Sequence, residues 1–407
     1  MLSFVPLRIA DIIEQTASAL AVPLKKYLVV AMNRPRLFTH PAEKALAKAD
    51  DLAAVLGCSR QQIIAMMMKE PCLFYSAVAS ISVNRQRAIE GLGISAAQYT
   101  KAAGNQPRLL TASFAKLSHT FTTAADALQI DPREYLKACL RMPSLFNTTP
   151  EKPARNLKRF AARTGIPFER CVAAAIRAPS IMCMAPDHLA DKIEAVAALL
   201  GVDRAAVITA VMRQPTLLNF KPETLQQNVA RVVGHFDLPE ERYIRAALRL
   251  PVLLYSRPTS LIERLCALGR EIGADPRDLA HAALNNAGLF LARPERVSAN
   301  IQAAAAYFAV SQKSYVDLAL RASKLFTLDP SHVHAKMPVL QAIRRALDQP
   351  DDAWSTLHAH PLALTYAVER LRHRLALAKS LSGRFGYIAL LCLSERKAQI
   401  LEASTTP

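Results

Sequence analysis

Nine positions spaced 36 residues apart read Asn33, Lys69, Asn105, Arg141, Arg177, Arg213, Arg249, Asn285 and Arg321. Six are basic, whereas 51 Lys and Arg in 407 residues would place about one there by chance. The other three are asparagine, itself a hydrogen-bond donor. Cations in register along a repeating chain suit the evenly spaced charges of a phosphate backbone. A second role fits the same residues. A cation in the last turn of a helix offsets the dipole and bonds free carbonyls, worth about 0.3–1 kcal/mol. Asparagine carries no charge for the dipole, so capping alone does not account for its presence.

Four residues before this ladder stand Val29, Ala65, Lys101, Lys137, Ala173, Thr209, Arg245, His281 and Asp317. The chemistry here changes from repeat to repeat, as a base-reading position would, and equally as an unconstrained surface position would. Lys101, Lys137 and Arg245 extend the basic stripe.

Residues for covalent or metal chemistry are not grouped in this way. His332 with His334, and His358 with His360, form HxH pairs lacking a cysteine or carboxylate at companion spacing. They read as exposed helix-end histidines rather than a metal site. None of the cysteines stands beside a recognisable histidine partner. HExxH, P-loop and GxGxxG patterns are missing. The "GLG" of Gly91 to Gly93 belongs to the repeat, and Gly383 with Gly386 is too sparse to cradle a phosphate. This pattern implies a binding protein without cofactor or metal, not an enzyme.

Bulk composition agrees. A net charge of +18 points to a polyanionic partner, most simply nucleic acid, rather than an acidic membrane surface. The seven cysteines are scattered singly, as expected of reduced thiols in an intracellular protein. No apolar run approaches the ~20 residues of a membrane span. The N-terminal stretch carries Asp11 and Glu14 and lacks a signal pattern. The expected location is cytoplasmic, with organellar import and delivery into a host cell left open.

The elements that must hold the ladder can be read from the same period. Two residues after each ladder position lies an anchor: Pro35, Pro71, Pro107, Pro143, Pro179, Pro215 and Pro251, then Ala287 and Ser323. A displaced tenth copy begins at Pro361. The second residue after the anchor is always Leu or Ile, and a second proline follows at Pro150, Pro186, Pro222, Pro258, Pro294 and Pro330. Proline suits the first turn of a helix, so each marks a helix start. Leu189, Ile193, Val196 and Leu200 then fall at helical spacing. Gly57, Gly93, Gly165, Gly201 and Gly273 stop these helices, and an N-cap or proline follows two residues later. A second helix, with Val207, Ile208, Val211 and Met212 inward in one unit, runs back to the anchor.

Each repeat is therefore helix, glycine turn, helix and a proline-led turn whose Leu and Phe plug the core. Two such helices cannot bury their apolar faces alone, so the units must stack. The fold class expected is an all-α solenoid of nine to ten repeats. Its parts would be a cap and partial repeat over 1–34, the array over 35–345, and a C-terminal repeat and cap over 346–407.

The anchor signature with "LG[IV]" between the helices, as in "LGVDRAAVITAVMRQPTLL", resembles the mitochondrial transcription termination factor (mTERF) family. The closing "HPLALTYAVERLRHRLALAKSL" is similar to that family's last segment, with Pro361, Leu364, Tyr366, Arg370 and Arg374 in matching places. The resemblance implies a superhelix that binds DNA or RNA along a basic groove, and it adds Arg370 and Arg374 to the candidate contacts. A monomer is expected. A scaffold holding a peptide or partner helix is the alternative, and it requires a groove that is apolar or mixed in charge.

Overall fold

A computed structural model describes residues 4–350, 352–381, 386–393 and 397. Gly383 lies outside the described residues, as do 1–3 and 398–407. Every element among the described residues is helical, and no strand occurs there. The chain forms two compact units, 1–192 and 193–407.

Short helices begin at Leu24, Arg60, Ala96, Pro132, Phe168, Arg204, Glu240, Pro276 and Gln312, so the spacing of 36 holds throughout. Each follows a longer helix, such as Ala42–Leu56 before Arg60–Lys69, or Pro222–Phe236 before Glu240–Arg249. A one-turn helix then starts at the anchor, as in Pro143–Asn147 and Pro215–Asn219. The turn survives at Ala287–Leu291 and Ser323–Thr327, where proline is lost, because Leu289, Phe290, Leu325 and Phe326 still plug the core. The tenth copy has a short helix at Ala353–Ala359 and a turn at Pro361–Thr365.

Within each unit, long helices pack on long, short on short, and several turns on turns. The stripe of Leu189, Ile193, Val196 and Leu200 is buried as its spacing requires. In the short helix Arg204–Arg213 the inward residues are Val207, Ala210, Val211 and Met212. Ile208 is only half-buried, and Ala210 takes its place. Alanine recurs at that position in Ala102, Ala138, Ala174, Ala246 and Ala282, while Met66 and Leu318 fill it with larger apolar side chains.

The five stop glycines all have positive φ, between 61° and 73°. The same place is left-handed at Ala21, Gln129, Asp237 and Ala309, again 36 residues apart, and at Asp348 in the displaced copy. Stacking dictates this backbone whether or not glycine is present. The N-cap positions also hold: Ser59 and Ser95 form capping boxes with Gln62 and Gln98.

Candidate nucleic-acid interface

The ladder residue is the last residue of its short helix at Asn33, Lys69, Asn105, Arg141, Arg177, Arg213, Arg249 and Arg321. Asn285 falls just beyond its helix, Pro276–Ala283. Burial on one face forces these side chains outward. In Pro132–Arg141 the core takes Tyr135, Leu136, Ala138 and Cys139. Arg133, Lys137 and Arg141 are left exposed at intervals of four, on one helical stripe. Lys101 and Arg245 occupy the same exposed place in their helices.

The cations reach across to the following repeat. In the first unit, Lys69 Nζ lies 3.4 Å from the Gly104 carbonyl, and Arg141 Nη1 lies 3.2 Å from that of Ile176. In the second, Arg213 Nη1 is 3.4 Å from the Arg249 carbonyl, and Arg249 Nη2 is 3.2 Å from that of Leu284. All four acceptors belong to the end of the next short helix, where carbonyls lack intrahelical donors and the dipole is negative. Arg321 Nη2 meets His358 Nε2 at 3.1 Å instead.

Asparagine behaves differently. Asn33 donates to the Val29 carbonyl of its own helix at 3.0 Å, and Asn285 accepts from Arg242. At Asn33 the side-chain amide thus bonds a carbonyl of its own last turns, a local role that asparagine fills without charge.

Five of the ladder's cations keep their charge uncompensated by a described carboxylate. Among the described residues, ion pairs join Arg60 to Asp50, Arg159 to Asp187, Arg163 to Asp191 and Arg204 to Glu194. Lys69, Arg141, Arg213, Arg249 and Arg321 pair with no described carboxylate. A carbonyl orients a guanidinium and uses one or two of its five N–H groups, but leaves its charge in place.

Arg370 and Arg374 do not join this surface. Arg374 is 0% exposed and donates to the Leu393 carbonyl at 3.0 Å. Arg370 donates to the Leu391 and Leu393 carbonyls, with its guanidinium 4.2 Å from the centre of the Tyr366 ring. Both tie down the chain's last described helix, Tyr387–Cys392, so their place in the closing motif reflects packing. Of the HxH histidines, His332, His334 and His358 are exposed, but His360 is half-buried and burial lowers its pKa. Its Nε2 lies 3.2 Å from the Tyr366 hydroxyl and 4.0 Å from Cys392 Sγ. That thiol does have a histidine beside it, brought there by the fold from 32 residues away. Among the described residues no group of three or more His, Cys, Asp or Glu is placed to hold a metal ion. No single helix there is long and apolar enough to cross a membrane.

A second periodic row escaped the sequence reading. Lys48, Asn84, Thr120, Asn156, Lys192, Asn228, Arg264, Asn300 and Lys336 lie 36 apart on the long helices. Lys48 donates to the Ser76 carbonyl at 2.7 Å, Asn156 to that of Met182 at 3.0 Å and Asn228 to that of Leu254 at 3.0 Å. Arg264 reaches Leu291, and Lys336 reaches Leu364 at 2.8 Å. These five donors fasten the turn or the residues just after it to the preceding long helix. All nine residues can donate, a shared property that their differing charges obscure.

Residues 51–284 match the mTERF family, with both helices, the left-handed stop and the turn of each repeat inside the match. The chain belongs to the mTERF family. mTERF proteins are helical-repeat proteins that generally bind nucleic acid and are not enzymes. No curated protein shows a significant match to the chain. The mTERF match includes Lys69, Arg141, Arg177, Arg213 and Arg249, and it ends before Asn285, Arg321, Arg370 and Arg374.

Proposed function

We propose that this mTERF protein binds DNA or RNA by the phosphate backbone, using the exposed stripe of its short helices. The observation that carries this reading is the uncompensated charge of Lys69, Arg141, Arg213, Arg249 and Arg321. Lys69 and Arg141 in the first unit, and Arg213 and Arg249 in the second, are oriented by neutral carbonyls, while Asp50, Asp187, Asp191 and Glu194 pair with other arginines. A cation already positioned by a carbonyl loses less side-chain freedom on meeting a phosphate. Lys101, Lys137 and Arg245 add charge one turn earlier, and the residues that vary at that place supply sequence preference. Asn105 and the half-bonded Asn33 and Asn285 offer amides rather than charge along the same face. The role is binding, with regulation of transcription or RNA processing as its use, inside a cell where unpaired thiols persist. Titration against salt tests it, because a backbone reader must lose affinity in proportion to the phosphates it neutralises.

A further inference from the structure

The turn side of the first unit carries an aromatic ring whose counterpart elsewhere in the chain is covered. Tyr255, in the second unit, occupies the last place of its one-turn helix. Its ring stacks on Phe220, with centroids 4.9 Å apart and planes 15° from parallel. Gln214 Nε2 donates to its hydroxyl at 2.8 Å. Tyr75 stands at the equivalent place five repeats earlier, 180 residues back. There the position of Phe220 is taken by His40, which meets the ring edge-on at 5.2 Å and 76°. The position of Gln214 is taken by Arg34, and that of Thr216 by Arg36. Tyr75 is left 39% exposed, with no described partner for its hydroxyl.

The surroundings supply charge where the second unit has Gln214 and Thr216. Tyr75, Arg34 and Arg36 line a cleft of about 500 Å³. Arg34 also lines an adjoining cleft of about 870 Å³ with Arg108, Lys116 and one carboxylate, Glu70. None of the four cations has a described side-chain hydrogen bond or ion pair. A part-exposed aromatic ring beside cations with no described side-chain partner is the combination that takes a base by stacking and its phosphate by charge. We propose that Tyr75 and these cations form a docking site for one nucleotide unit, a base with its phosphate, either free or unpaired within a strand. The strand form rests on the nucleic-acid reading above, whereas the free form does not.

Calorimetric titration of the full chain with adenosine monophosphate, inorganic phosphate and a short single-stranded oligonucleotide tests the proposal. Tyr75→Leu weakens nucleotide binding roughly 5- to 150-fold, the span of one lost stacking contact. Tyr75→Phe keeps the ring and leaves binding unchanged, and inorganic phosphate binds more weakly than the nucleotide and ignores both variants. Because the ring is part-exposed, all variants should melt near the parent, which the same samples report. A Tyr75→Leu effect on the monophosphate identifies the free nucleotide as the ligand; an effect on the oligonucleotide alone identifies an unpaired strand. Equal binding of phosphate and nucleotide, or no effect of Tyr75→Leu on either ligand, overturns the site. The triple variant R141Q/R213Q/R249Q keeps the Tyr75 effect, so a failed ladder and a failed docking site give different results.

Discussion

Arg249 Nη2 lies 3.2 Å from the carbonyl of Leu284, so the cation of one short helix closes the end of the next. The bond makes one side chain serve stacking and charge display together. Arg249→Gln should therefore cost stability as well as affinity, by about 0.3–1 kcal/mol for the lost dipole interaction. Chemical denaturation measures this directly. A variant as stable as the parent would show that the contact is incidental.

The left-handed stops offer a paired test of the repeat geometry. Gly201 has φ of 61°, and a Cβ there would meet nothing within 4 Å, so Gly201→Ala suffers from backbone conformation alone. It should destabilise by about 1 kcal/mol, while Ala309→Gly, at φ of 52°, should stabilise by up to about 1 kcal/mol. Opposite signs in denaturation midpoints support one shared conformation. Two changes of the same sign would contradict it.

Asn228 holds the Leu254 carbonyl from the long helix beneath it, at 3.0 Å. Asn228→Ala leaves that carbonyl without its donor and should cost about 1–3 kcal/mol. Nucleic-acid affinity measured well below the melting range should stay unchanged. A large affinity loss with an unchanged midpoint would instead place this second row at the interface.

Burial lowers the pKa of both His40 and His360 below the ordinary 6.5. The unfolded chain then takes up protons first as pH falls. Stability from these groups is complete above pH 6.5 and is lost as pH drops toward their folded values. Melting temperature should fall between pH 7.5 and 5.5, and His40→Gln with His360→Gln should flatten that decline. An identical slope in the double variant would show that other groups set it.

Much of this fold was legible because the repeat leaves the same residue types at the same beat. Pro143 and Pro215 mark turns, Gly201 marks a stop, and Leu145 and Leu217 plug the core in both places. The left-handed residues Gln129 and Ala309 were not legible, since only stacking against neighbours requires that backbone there. The row from Lys48 to Lys336 mixes amides, hydroxyls and cations, and only their common acceptor reveals it. At the interface, spacing identified the cations that face outward but could not show that they reach the next repeat's carbonyls. Burial of Arg374 depends on the last helix folding back over it, a contact that no local pattern encodes.

The central claim is that the ladder's cations neutralise phosphates, and the salt dependence of affinity tests it most directly. For six contacts the log–log slope should be roughly −4 to −5.5, the shallower figure for a single strand. The variant R141Q/R213Q/R249Q should lose about 2–3 units of that slope and weaken all sequences alike. The control R60Q/R159Q/R163Q removes the same charge from arginines already paired with Asp50, Asp187 and Asp191, and should leave the slope nearly unchanged. A ladder variant that melts lower yet keeps the parent's slope, or a control that loses as much, would contradict the account and leave the ladder as inter-repeat caps alone.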